Sequence, residues 1–251
     1  SSSAASDVYK RQNLNYTKEG VGSNVLFLHG WGADKESFRC VSDRLKSDCC
    51  VVRIDFPGFG QSPPPPYEGW GVENYADNLA AFMRNLKLER ASVVAHSFGG
   101  RVAIVLCAKY PELVGKLVLA DSGGMRRYSL KRSWRVFKYK TAKRLVGMGL
   151  KNPDCLKKYG STDFLASGKG MRNTFKKVVE QDLTSFAKKI MCPTLIVWGD
   201  GDCETPMWMA KRLKRLISGS GLVVLENAGH FSFADRPKEF TAAVRYFLEE
   251  V

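Results

Sequence analysis

Six residues, Ala95-His96-Ser97-Phe98-Gly99-Gly100, constrain the fold of this chain more than any others. They follow the apolar run Ala91 to Val94 and lead into Arg101-Val102-Ala103-Ile104-Val105-Leu106, so a short strand meets a helical pattern at a serine flanked by small residues. A chain that turns this sharply from strand to helix raises one hydroxyl on a nucleophile elbow. The turn forces the serine into backbone angles that L-residues avoid. It also brings strand and helix so close that the positions two before and two after must be small. Ala95 and Gly99 meet that need, with alanine standing where glycine is more usual.

Four further segments follow the same logic of an apolar strand ending in a polar or glycine-rich loop. Val25-Leu26-Phe27-Leu28 runs into His29-Gly30-Trp31-Gly32, and Val51-Val52-Arg53-Ile54 runs into Asp55-Phe56-Pro57-Gly58-Phe59-Gly60-Gln61-Ser62. Pro193 to Gly199 precedes Asp200-Gly201-Asp202-Cys203-Glu204-Thr205-Pro206. Leu222 to Leu225 precedes Asn227-Ala228-Gly229-His230-Phe231-Ser232 and a final helix from about Pro237. In this order the five segments resemble the α/β-hydrolase superfamily over most of residues 24–121 and 191–251. The resemblance implies an α/β fold, a mostly parallel twisted sheet with helices on both faces and an inserted helical lid, with the site at the C-terminal edge of the sheet.

The resemblance also implies roles. The nucleophile would be Ser97, and its partners would follow in the order acid, then histidine. Of the three histidines, His29 and His96 precede Ser97, and His96 points away from its hydroxyl, which leaves His230 as the base. Three aspartates compete for the acid. The spacing Trp198-Gly199-x-x-Asp202-x-x-x-Pro206 resembles the family's acid loop and selects Asp202, with Asp200 as a turn residue. Asp121, ending the run Lys116 to Ala120, stays open because some members draw the acid from that strand. Glu204 reads as a solvated loop charge. The oxyanion donors implied are the amides of Trp31 and Phe98, and His29 reads as a loop-packing residue. A hydrolase of this kind needs no metal or organic cofactor. The expected activity is hydrolysis of a carboxylic ester through an acyl-enzyme. The alternatives are hydrolysis of a carbon–carbon bond in an acidic ring-cleavage-type substrate, and a lid-switched ligand receptor.

At 251 residues and 44% apolar composition, one core with an insertion is expected. Residues 122–190 hold 18 basic and four acidic side chains, which is the whole net charge of +14. This segment falls where the family inserts its lid, between core segments 13–121 and 191–251. Leu130, Trp134, Phe137, Leu145 and Met148 form one helical stripe within Ser129 to Leu150, with Lys131, Arg132, Arg135, Lys138, Lys140, Lys143 and Arg144 largely elsewhere. The stripe is expected to pack over the site. The basic face would be solvated, or would attract an anionic substrate or membrane surface. No nucleic-acid motif accompanies it. Seven cysteines, without metal-ligand spacing and with Cys49 and Cys50 adjacent, fit a reducing cytoplasm. Residues 1–12 show neither strand nor helix periodicity, resemble translated adapter sequence, and are expected to be a non-native leader. Only Leu14 to Tyr16 could then supply part of a first antiparallel strand, leaving a sheet edge unpaired.

Overall fold

The computed structural model describes residues 14–126 and 168–250, with five isolated positions (138, 141, 144, 146 and 148) between them. Its strands are β1 Tyr16–Glu19, β2 Ser23–Leu28, β3 Cys49–Ile54, β4 Ala91–His96, β5 Val114–Ala120, β6 Thr194–Gly199 and β7 Gly221–Leu225. They form one sheet in the order β1-β3-β2-β4-β5-β6-β7. Only the edge pair β1–β3 is antiparallel, matching Tyr16 to Ile54 and Glu19 to Val51; the others are parallel. The first strand therefore lies at 16–19, later than the Leu14–Tyr16 expected. Leu14 is instead a buried core residue.

The helices are α1 Arg39–Leu45, α2 Val72–Asn85, α3 Phe98–Lys109, α4 Arg172–Glu180, α5 Thr184–Ala187, α6 Trp208–Leu216, α7 Ser232–Asp235 and α8 Pro237–Glu250. Strand periodicity sorts the side chains into two layers. Leu26, Leu28, Val93, Ala95, Leu117, Leu119, Ile196 and Trp198 face one layer, with α2, α3, α5 and α6. Val25, Phe27, Val94, Val118, Ala120 and Val197 face the other, against α1 and α8. α2 buries Val72, Tyr75, Ala76, Leu79 and Met83 at helical spacing, whereas α3 buries every residue from Phe98 to Cys107 except Arg101. A helix apolar on nearly all sides must lie at the centre of its layer.

Chain order reverses between β2 and β4, which are neighbours with β3 beyond β2. The crevice at the C-terminal ends of β2 and β4 is where a sheet of this kind takes a ligand, and Ser97 stands there. The segment entering β6 is part of the core: Val178, Leu183, Ala187 and Ile190 are buried. Arg101 Nη1 donates to Val178 O at 3.0 Å, and Leu183 N donates to Gly124 O at 2.8 Å. Residues 172–190, expected to belong to a cover, therefore include a firmly packed return to the sheet. Most of the expected basic helix lies outside the described residues. Of its described positions, Lys138 and Arg144 are exposed and helical, and Met148, expected on the apolar stripe, is 54% exposed.

Candidate active site

Ser97 has φ +48° and ψ −105°, a conformation that costs a non-glycine residue about 1–3 kcal/mol. It is held by strand on one side and helix on the other: its N–H donates to Ala120 O at 3.1 Å, and its carbonyl accepts from Arg101 N at 3.2 Å. Gly99 shows why the flanking residue is small. A Cβ there would stand 2.5 Å from Leu28 O and 2.7 Å from His29 O.

His230 lies in the loop between β7 and α7. Its Nε2 is 3.1 Å from Ser97 Oγ and its Nδ1 is 2.9 Å from Asp202 Oδ2. An ionised carboxylate only accepts, so Nδ1 carries the proton and the Nε2 lone pair faces the serine hydroxyl. Burial works against the imidazolium. The hydrogen bond and charge of Asp202, followed by the charges of Glu204 and Asp121, outweigh it and raise the His230 pKa above the ordinary histidine value. Burial also opposes the Asp202 carboxylate, but hydrogen bonds from His230, the Thr205 hydroxyl and the Thr205 amide hold its pKa below the usual range. Asp202 Oδ1 accepts from Glu204 N at 2.8 Å and from Thr205 N at 2.9 Å, so the loop's own backbone orients the carboxylate.

The other two aspartates serve elsewhere. Asp200 Oδ1 accepts from Ala228 N at 3.3 Å, tethering the His230 loop to the end of β6. Asp121 is fully buried, and accepts from Gly199 N at 2.9 Å and from the amide of Ser232 at 3.2 Å, with the Ser232 hydroxyl on the same oxygen. It thus joins the ends of β5 and β6 to the start of α7. Burial pushes its pKa up to about 7 against those hydrogen bonds.

The loop after β2 passes directly against Ser97, since a Cβ on Gly30 would be 3.5 Å from Ser97 Cβ. The Trp31 and Phe98 rings, on the two residues expected to donate to an oxyanion, pack edge to face at 5.3 Å. Trp31 also meets Phe59 at 4.9 Å and Phe175 of α4 at 5.0 Å. Such pairs contribute about 0.5–1.5 kcal/mol each beyond burial, which stiffens the loop. His29 is a packing residue: its Nε2 accepts from Phe56 N at 3.0 Å, so Nδ1 donates to Gly30 O at 2.7 Å, and burial lowers its pKa to about 4. The Asp55–Ser62 loop is held internally, Asp55 accepting from Lys35 N and Gln61 N and its carbonyl accepting from Ser62 Oγ.

Three features escaped the sequence. His96 Nε2 donates to the carbonyl of His230 at 2.8 Å. Thr205 Oγ1 sits within 3.3 Å of both His230 Nδ1 and the carbonyl of Asp121. Glu204, expected to be a solvated loop charge, reaches 3.5 Å from His230 Nε2 while keeping 63% of its side chain exposed. Its position follows from a tight turn that the two backbone bonds to Asp202 create, and only the His230 loop, brought in from β7, supplies the other half.

A model of the alpha/beta hydrolase family matches residues 25–244, nearly the whole chain. The chain belongs to that family. It is 29% identical over 248 residues to the AB hydrolase superfamily protein YisY of Bacillus subtilis, covering 91% of this chain and 92% of that protein. It is 29% identical over 262 residues to a pimeloyl-[acyl-carrier protein] methyl ester esterase of Neisseria meningitidis, covering 96% of this chain and all of the relative. Among solved structures, an esterase from Exiguobacterium antarcticum superposes with a TM-score of 0.76 at 25% identity over 95% of this chain and 96% of that one. Among the described residues no helix is long and apolar enough to cross a membrane, and no group of three or more His, Cys, Asp or Glu is placed to hold a metal ion.

Proposed function

We propose that this chain is a serine hydrolase that cleaves a carboxylic ester of a small to medium substrate through an acyl-enzyme. The observation that carries the reading is the line Asp202 Oδ2, His230 Nδ1, His230 Nε2, Ser97 Oγ, with hydrogen-bond distances of 2.9 and 3.1 Å at its two joints. The esterase names of the relative from Neisseria meningitidis and of the structural neighbour support it. Ser97 attacks the ester carbonyl as His230 takes its proton, and Asp202 holds the tautomer and offsets the imidazolium charge. The amides of Trp31 and Phe98 receive the oxyanion, an interaction whose loss costs about 3–4 kcal/mol per donor in comparable sites. His230 then protonates the leaving alcohol, and water repeats the sequence on the acyl-enzyme to release the acid. In this reading residues 13–121 and 191–251 form the catalytic core, joined by the packed return within 172–190, and the rest of 122–190 is a basic cover.

An active-site-directed fluorophosphonate, followed by a panel of p-nitrophenyl esters, tests the proposal. Wild-type protein should be labelled once and should turn over esters with a chain-length preference. Ser97→Ala should lose both; a variant that keeps more than about a hundredth of the activity rules out Ser97 as nucleophile.

The charge of residues 122–190, net +14, favours a second reading in which the substrate is anionic and the bond cleaved is carbon–carbon. The same ester panel separates the two, because a hydrolase specialised for carbon–carbon bonds should be labelled by the probe yet leave simple neutral esters almost untouched.

A further inference from the structure

We propose that Glu204 is a charge-selecting residue of this site, disfavouring substrates that carry an anion next to the scissile bond. The inference rests on the ester-hydrolase reading and adds to it the charge of the substrate's reacting end. Glu204 Oε2 lies 3.5 Å from His230 Nε2, the nitrogen that also faces Ser97 Oγ at 3.1 Å. The carboxylate and the reacting hydroxyl therefore flank one atom. Before proton transfer Nε2 offers only a lone pair, to which a carboxylate cannot hydrogen-bond; after transfer it carries the proton, and Glu204 meets an imidazolium. The side chain thus lies at the mouth of the site, where it acts on the charge that develops during the reaction and on any charge a substrate brings.

The other groups facing His230 cannot substitute for it. Asp202 lies on Nδ1, away from the serine, at 2.9 Å. Asp121 is fully buried with its oxygens on Gly199 and Ser232. His96, whose ring lies tilted against that of His230 with centres 4.8 Å apart, is held neutral, its pKa lowered to about 3 by burial and then by the charge of His230. Thr205 and Ser97 are uncharged. Glu204 is the exposed anion among the described groups around His230. The backbone of residue 204 has a separate duty, donating to Asp202 Oδ1 at 2.8 Å, and side-chain substitution leaves that bond in place.

A charge roughly 6 Å from another at a protein surface changes their interaction enough for about a threefold or larger difference in rate. Salt removes it, since the Debye length falls from about 30 Å at 0.01 M to about 3 Å at 1 M. The test compares kcat/KM for mono-p-nitrophenyl succinate and p-nitrophenyl butyrate, esters of similar size that differ in one carboxylate. In Glu204→Gln the anionic-to-neutral ratio should rise about threefold or more at 0.01 M salt and return close to the wild-type ratio at 1 M. Glu204→Asp, which keeps the charge, should lie nearer wild type. Imidazole NMR gives a second readout independent of turnover. Burial lowers the His29 and His96 pKa values to about 4 and about 3 while that of His230 is raised above 6.5, so the histidine that titrates at the highest pH is His230, and its midpoint should fall in Glu204→Gln. An unchanged ratio, with the neutral ester still turned over, overturns the proposal. If wild-type protein hydrolyses neither ester, the ester reading fails, and an unmoved His230 midpoint then overturns the placement of Glu204 as well.

Discussion

His96 holds the backbone of His230: Nε2 of the residue immediately before Ser97 donates to the His230 carbonyl at 2.8 Å, across 134 positions of sequence. The carbonyl can only accept, so His96 carries its proton on Nε2. Its ring packs against Phe38, Phe231 and Phe233 as well as His230, and a Cβ on Gly30 would come within 2.7 Å of its Nδ1. One buried side chain beside Ser97 therefore touches two other loops of the site, those after β2 and β7.

His96→Phe keeps an aromatic ring but leaves the His230 carbonyl without its donor, a loss worth about 1–3 kcal/mol for a buried group. The expected result is a fall in kcat of about tenfold or more with KM within about twofold, because the base is displaced while the pocket is kept. His96→Gln, whose side-chain amide can restore a donor, should recover part of kcat. Steady-state kinetics of the two variants check this; equal activity in both would reduce His96 to packing alone.

Asp202→Asn should lower kcat by about 10⁴, the cost of presenting the wrong tautomer of the base in comparable triads. Asp200→Asn should cost far less, since its bond goes to Ala228 N. Asp121→Asn should act on stability. The Asp121 carboxyl titrates at about 7 in the folded protein against an ordinary 3.8, so between those values the folded state holds a proton that the unfolded chain has lost. Wild-type stability is therefore eroded by this group as pH rises from about 4 to 7. Whatever fixed cost the amide brings at Ser232, Asp121→Asn should gain stability relative to wild type over that window, as urea unfolding at pH 4.5 and 7.5 can measure.

The pH dependence of ester hydrolysis should show an acid limb. His230 must be neutral to take the serine proton, and its pKa is raised above 6.5 by Asp202, Glu204 and Asp121 against its burial. Activity should then fall as pH drops through a midpoint above 6.5. A pH profile of kcat/KM on a neutral ester measures it, and a midpoint below 6.5 contradicts the charge environment described.

Gly99→Ala should destabilise the fold by about 1–3 kcal/mol, because the added Cβ meets two backbone oxygens, Leu28 O and His29 O, which cannot move independently of β2. Thermal unfolding followed by circular dichroism checks this, with Gly32→Ala as a contrast. A Cβ at Gly32 has no neighbour within 4 Å, and only its φ of +75° opposes the change.

Much of this protein was legible in the sequence because the information is local. Apolar runs of strand length ending in glycine-rich or polar loops marked six strands within a few residues of their bounds, and Pro237 marked the start of the last helix. The steric demand at Ser97 could be read from Gly99, since a glycine two residues after a strand-ending serine reports how closely helix and strand pass. The order of the segments resembles the α/β-hydrolase superfamily, and that resemblance indicated the fold and pointed to His230 among three histidines.

Tertiary structure decided what depends on distance across the sheet. Three aspartates end strands or begin loops at the same edge, and the family-like spacing pointed to Asp202 without excluding Asp200 or Asp121; the turn at Glu204 and Thr205 aims Asp202 at His230, while Gly199 and Ser232 occupy Asp121. Strand alternation sends His96 to the α1 and α8 layer, with Val94, yet only the arrival of the β7 loop on that side makes it a support for His230. Glu204 looks like any exposed loop acid until the same loop sets His230 beside it. Sequence pattern governs each segment's own geometry through sterics and periodicity, whereas the pairing of side chains far apart in the chain is fixed by how the strands order and the loops meet.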